Sequence, residues 1–223
     1  MKNYSAFDVI GPRMIGPSSS HTAGAARLGK VARRICGEEV KKVIFTLHGS
    51  FAKTYRGHGT DKALVAGILG MEPEDKHLRK SMEIAKKKGL DYQFVEEDLG
   101  DVHPNTVKIS MIDKKGNQSE IVGSSIGGGN IKIIKINGLD VEFTGEYSTL
   151  IVRQIDVPGV IAKVTKIVSQ VEINIAFMRV FRQNKGKDAF MIIETDDPIP
   201  KGIIEKIRSI GEEIIHVYIV DVL

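Results

Sequence analysis

A single cysteine, Cys36, is all that this 223-residue chain carries. That scarcity rules out an intrachain disulfide and any cysteine-rich metal site built from this chain alone. An iron–sulfur cluster needs three or four thiolates and is excluded on the same count. Cys36 falls near the end of the first predicted helix and reads as a half-buried structural thiol. Long apolar runs are also missing. Each is broken by Lys, Arg or Gly well before 18 residues, so no stretch is read as spanning a membrane. The first residues, Met1-Lys2-Asn3-Tyr4-Ser5, lack the apolar core of a signal peptide, which makes the cytoplasm the expected compartment. Strong charge is absent as well, at a net +4. Lys41-Lys42 and Lys86-Lys87-Lys88 read as solvated faces without interleaved aromatics, so no nucleic-acid partner is expected. Standard nucleotide motifs fail: Gly57-His58-Gly59 has no third fingerprint glycine, and no Walker lysine pattern occurs.

What is present in bulk is ordinary for a globular chain, 42% hydrophobic and 27% charged. The length suits one large domain or two small ones, each able to bury a core.

The richest segment is Gly16-Pro17-Ser18-Ser19-Ser20-His21-Thr22, a Gly-Pro turn followed by four hydroxyls and an imidazole. It runs into the small-residue helix start Ala23-Gly24-Ala25-Ala26. Ser and Thr cap helices by accepting backbone N–H groups that have no intrahelical partner. Only one or two hydroxyls can do so, which leaves the others for another task. Free N–H groups and the positive end of the helix dipole favour a carboxylate or phosphate at such a turn.

Two further segments share this character. His48-Gly49-Ser50-Phe51-Ala52-Lys53-Thr54 leaves a strand, and Gly57-His58-Gly59-Thr60-Asp61 opens a helix. Later, Gly123-Ser124-Ser125-Ile126-Gly127-Gly128-Gly129-Asn130 joins two strands. Consecutive glycines in a β-rich context signal positive φ or a close backbone approach. These turns are expected to converge on one polar pocket. The candidate substrate-binding residues are Ser18, Ser19, Ser20, Thr22, Lys53, Ser124 and Gly128, with His21 as the candidate catalytic residue. Lys53 reads equally as a pocket charge and as a surface lysine. His48 and His58 are ten apart with no third ligand at metal spacing and read as hydrogen-bonding turn residues. His77 reads as solvated, His103 as a turn or pocket wall, and His216 as a surface strand position. No metal ligand is expected on this chain.

The predicted fold class is α/β (α+β) in two domains. Residues 1–137 read as a mixed α/β domain with helices at 22–36, 51–55, 61–69 and 74–88. Its strands are at 40–47, 92–96, 106–113, 119–123 and 131–136. Residues 138–147 read as a linker. Residues 148–223 read as β-α-β-β-α-β, the ferredoxin-like plan. Its strands are predicted at 149–156, 173–183, 188–195 and 214–222, and its helices begin at 160 and 201.

Taken in order, the segments GPSSSHTAGAARLG within residues 5–29, HGSFAKTYRGHGTDKALVAGILG at 48–70 and GSSIGGGN at 123–130 resemble the β chain of bacterial iron–sulfur-dependent L-serine dehydratase. Residues 149–223 resemble an ACT domain through Asp156-Val157-Pro158-Gly159-Val160 and Ile173-Asn174-Ile175. The resemblance implies a two-subunit lyase, an L-serine ammonia-lyase that turns L-serine into pyruvate and ammonia. It also implies a [4Fe-4S] cluster ligated by cysteines of an α subunit, in agreement with the lone cysteine here. The turn at 18–22 would complete the serine site, with His21 bonding the carboxylate or hydroxyl or shuttling a proton. The N-terminal domain also resembles the allosteric substrate-binding domain of some phosphoglycerate dehydrogenases. That likeness keeps open an amino-acid-sensing module without a catalytic role. The ACT resemblance implies self-association and an effector, serine itself, at Asp156, Gly159, Val160, Asn174 and Ile175.

Overall fold

The computed structural model describes residues 13–37 and 39–223. Residues 5–12, the front of the first resembling segment, lie outside the described residues. The chain divides into two units between residues 137 and 138.

In the first unit a π-helical turn, Ser19–Gly24, runs directly into helix α1 (Ala25–Cys36). Strand β1 (Val40–Leu47) follows, then α2 (Gly49–His58) and α3 (Thr60–Ile68). The helix predicted at 74–88 is shorter. A 3-10 turn at Leu78–Lys80 precedes α4 (Ser81–Lys87). The Asp75 carboxylate accepts the His77 N–H at 2.8 Å, a local turn that competes with helix before residue 78. Strands β2 (Asp91–Glu96), β3 (Thr106–Asp113), β4 (Gln118–Gly127) and β5 (Asn130–Ile136) complete the unit.

The strands lie in the order β2-β1-β3-β4-β5, with β1 and β2 parallel and the remaining pairs antiparallel. Val43, Phe45 and Leu47 of β1 stand beside Met111, Ile109 and Val107 of β3, all of them buried. Gly123 of β4 shares that face, where an added Cβ would lie 2.6 Å from the Leu28 side chain of α1. Helix α1 therefore lies along β4, α3 packs on α1, and α4 packs on α3. The near-complete burial of α3 follows from its sequence, since Ala63 to Ile68 carries no polar side chain.

β4 runs through residues 124–127, where a turn was expected. Ser124 pairs with Lys132 and Ser125 with Ile131, so the reversal is compressed onto Gly128 and Gly129. Both have positive φ, 61° and 85°, which only glycine adopts without strain.

The second unit opens with β6 (Leu139–Phe143), inside the segment read as a linker. Then come β7 (Ser148–Ile155), α5 (Val160–Ser169), β8 (Ile175–Arg182), β9 (Asp188–Thr195), α6 (Ile203–Arg208) and β10 (Ile214–Val220). The four-stranded antiparallel sheet has the order β10-β7-β9-β8, the predicted ferredoxin-like plan. Leu150, Val152, Met191, Ile193 and Val217 form the sheet side of its core, against Val160, Val164, Val168, Ile203 and Ile207 of the two helices. β6 packs against β8 and β9, with Val141 and Phe143 buried.

Candidate active site

The π-turn is built from its own sequence. Ser18 is extended and caps it, its hydroxyl accepting the His21 backbone N–H at 3.3 Å, while the Ser18 carbonyl accepts the Thr22 N–H at 2.8 Å. Small residues let the turn sit close to the sheet. An added Cβ on Gly24 would overlap the hydroxyl of Ser125, so Ser125 supports the turn from β4. A Cβ on Gly16 would overlap the Thr22 side chain, which is buried.

Placed this way, the half-buried His21 ring reaches α2. Its Nε2 lies 3.0 Å from Thr54 Oγ1 and 3.4 Å from Ser50 Oγ, and its Nδ1 lies 3.3 Å from Ser18 Oγ. Phe51 meets it edge-on at 5.2 Å, and the exposed His58 ring lies tilted at 4.9 Å. Burial, and then the charge of His58, holds the His21 imidazole below its ordinary pKa. A neutral imidazole with one free lone pair can take a proton and return it near neutral pH.

The α2 start that carries Ser50 and Thr54 is anchored by the segment 103–105. The Pro104 carbonyl accepts the Ser50 N–H at 2.8 Å, and the Asn105 carbonyl accepts the Ser125 N–H at 2.9 Å. One short loop thus ties α2 to β4, the two elements that flank the turn.

The remaining candidate residues divide. Ser19 and Ser20 are half-buried on the turn beside His21. Lys53 is exposed on α2, at the rim of an open depression of about 240 Å³ shared with Thr54, Arg56 and Glu96. Ser124 is turned away. Strand alternation puts it on the sheet face opposite the π-turn, where its buried hydroxyl lies 2.7 Å from Thr106 Oγ1. Its neighbour Ser125 is the serine under the turn. Gly128 shapes the β4–β5 reversal, whose Gly129 carbonyl accepts a hydrogen bond from Arg27 Nη1 at 2.7 Å. Arg27, Ser50, Thr54, Ser125 and the imidazole contact of His58 were not singled out from sequence. The legible signal was that Ser50, Thr54 and His58 lie in polar segments at helical spacing, four apart.

The other histidines have local work. His48 Nδ1 accepts the Leu99 N–H at 3.1 Å, and His103 Nδ1 accepts the Asn105 N–H at 3.1 Å. His77 pairs with Asp75 at 2.9 Å, and His216 stacks on Tyr218. Among the described residues no group of three His, Cys, Asp or Glu side chains is arranged to hold a metal ion. With one cysteine in the sequence, the chain does not supply the three or four thiolates of an iron–sulfur cluster, and Cys36 lies at the far end of α1 from His21. No helix among the described residues is long and apolar enough to cross a membrane.

In the second unit Gly159 has φ 91° and is the N-cap of α5, with open space where a Cβ would sit. Val160 is sealed in the core, and Ile175 packs partly against it. The Asp156 carboxylate accepts from Arg182 at 2.6 Å, a bond that lowers its pKa. Asn174 Nδ2 donates to Asp196 at 2.6 Å. Of the five candidate effector residues, Gly159 has open space beside it, while Asp156 and Asn174 are engaged within the domain.

A family model described as "Serine dehydratase beta chain" matches residues 5–91, and one described as "ACT domain" matches residues 148–212. The chain is 44% identical over 210 residues to the probable L-serine dehydratase beta chain of Bacillus subtilis, covering 94% of this chain and 95% of that one. It is 44% identical over 211 residues to the L-serine dehydratase beta chain of Peptoniphilus asaccharolyticus, with the same coverage. It is also 30% identical over 192 residues to D-3-phosphoglycerate dehydrogenase of Methanocaldococcus jannaschii, covering 83% of this chain but 35% of that protein. The chain belongs to the serine dehydratase beta-chain family and carries an ACT domain at its C-terminal end.

Proposed function

We propose that this chain is the β subunit of a lyase that converts L-serine to pyruvate and ammonia, its π-turn closing the serine site at the interface with an α subunit. The single observation that carries this is His21, held between Ser18 and Thr54 with a lowered pKa on a turn with half-open hydroxyls. Ser19 and Ser20 hold the substrate carboxylate together with the N–H groups at the start of the turn. His21 bonds the substrate or moves the proton that elimination of water from serine requires. Lys53, at the rim, adds positive charge toward the substrate carboxylate. The [4Fe-4S] cluster belongs to the cysteine-bearing partner, because this chain supplies one thiol.

The test is anaerobic reconstitution. The purified chain alone is expected to show no serine deamination, with activity appearing only when the partner is added. Robust turnover by the isolated chain would overturn the division of labour.

The match to a phosphoglycerate dehydrogenase favours one further reading, in which this region senses an amino acid without doing chemistry. Full activity of a reconstituted His21→Ala enzyme, with altered serine binding, would select it.

For the ACT domain we propose pairing and serine binding. β8 is an edge strand whose Phe177 and Val180 are exposed, a surface that association covers. Serine would meet the open backbone at Gly159. Calorimetry of L-serine against the full chain and against a His21→Ala variant separates the two sites. A heat signal that survives the substitution is expected, and loss of all heat places binding at the turn alone.

A further inference from the structure

Thr54 makes two contacts that together define which nitrogen of His21 carries the proton. Its Oγ1 lies 2.7 Å from the Ser50 carbonyl, one helical turn back, and 3.0 Å from His21 Nε2. A carbonyl oxygen only accepts, and a hydroxyl has one hydrogen to give. The Thr54 hydrogen therefore goes to Ser50, and Thr54 Oγ1 can only accept from the ring. Nε2 carries the hydrogen, with Ser50 Oγ as a longer second acceptor at 3.4 Å. Nδ1 is then the nitrogen without a hydrogen, and its lone pair faces Ser18 Oγ at 3.3 Å. The Ser18 hydroxyl accepts the His21 backbone N–H, which leaves its own hydrogen available to Nδ1.

We infer that Thr54 is a positioning residue that fixes His21 as the Nε2–H tautomer, leaving Nδ1, on the Ser18 side, as the atom that takes and returns a proton. The inference rests on the proposed role of His21 and deepens it by naming the atom and what sets it. When Nδ1 gains a proton the ring becomes imidazolium, both nitrogens donate, and the Thr54 bond persists. The ring does not turn during the cycle. Phe51 and His58 hold its plane from the sides, at 5.2 and 4.9 Å. The groups facing the ring from the turn and from α2 are the hydroxyls of Ser18, Ser50 and Thr54 and the one titratable side chain His58.

The experiment has two arms. In the first, long-range 1H–15N spectra of the full β chain, taken above the imidazole titration range, read the tautomer of His21. The Nε2–H form is expected in the wild type and in Thr54→Ser, and a mixture in Thr54→Val. An Nδ1–H form in the wild type, or an unchanged tautomer in Thr54→Val, overturns the inference. In the second, the reconstituted enzyme carrying Thr54→Val loses at least about tenfold in kcat, as when a catalytic imidazole is no longer held in one tautomer. Thr54→Ser recovers most of it. A tautomer change without a rate change overturns the positioning role. His21→Ala with undiminished kcat overturns the catalytic reading while leaving the tautomer assignment in place, so the two failures are distinct.

Discussion

Gly29 of α1 and Gly67 of α3 face each other where the two helices cross, and a Cβ built on Gly29 would lie 2.9 Å from the Gly67 Cα. The same Cβ would lie 2.5 Å from the Leu64 carbonyl oxygen, and one on Gly67 would collide with the Ala26 carbonyl. Backbone meets backbone at this crossing, with no flexible side chain able to move aside. α3 is thereby seated on α1, and α1 carries the π-turn.

Gly67→Ala is expected to destabilise the chain by about 2 kcal/mol or more, the cost of overpacking a tight contact. Gly57→Ala is the control, because nothing lies within 4 Å of that position. It should be neutral or more stable by about 0.5–1 kcal/mol, since Ala is the better helix former. Urea denaturation of the two variants measures the difference, and equal midpoints would remove the crossing from the account.

His21→Ala in the reconstituted enzyme should lower kcat by roughly 10²–10⁴, the usual contribution of a positioned acid–base group. The circular dichroism and melting of the β chain should hardly change, because the ring is half-buried at the surface end of the turn. Cys36→Ala should leave both iron content and kcat as they were. A near-normal kcat for His21→Ala returns the histidine to a structural role.

The proton equilibrium of His21 is expected to show in NMR titration as a midpoint below the ordinary value of 6.5. His58→Asn removes the neighbouring charge and should move that midpoint up, though not fully, because burial is the larger cause. The consequence for stability has a definite sign. A histidine whose pKa is lowered on folding binds its proton more readily when unfolded, so stability falls as pH drops below about 6.5. His216, lowered by burial and by Arg153 and Arg208, adds to the same loss. A variant lacking both rings should show a flatter stability profile between neutral pH and pH 5.

β6 is expected to be needed by the ACT domain. A fragment beginning at residue 148 lacks Leu139, Val141 and Phe143, all buried in the chain. Burying a side chain the size of Phe contributes about 2 kcal/mol. Residues 138–223 should therefore melt at a higher temperature than residues 148–223. Identical melting curves would make β6 dispensable.

Much of this protein was legible without coordinates. The alternating and helical periods of residues 148–223 gave the ferredoxin-like plan, since periods of 2 and 3.6 are set by backbone geometry alone. The run from Ser18 to Thr22 marked the turn, because hydroxyls, a Gly-Pro and small residues announce a capped helix start whatever lies around them. Cys36 alone excluded a cluster on this chain by count. Other features depend on what packs across the sequence. Ser124 and Ser125 are equivalent in the sequence, and only the register of β4 beneath α1 puts Ser125 under Gly24 and sends Ser124 to Thr106. The strand at β6 was hidden because it is short and its few apolar residues pack against β8 and β9, distant in the sequence. The partnership of His21 with Thr54, 33 residues away, is a fact of tertiary structure. The sequence determined that a histidine would stand on a polar turn; the close approach of α2, anchored through Pro104, decided which hydroxyls meet its ring.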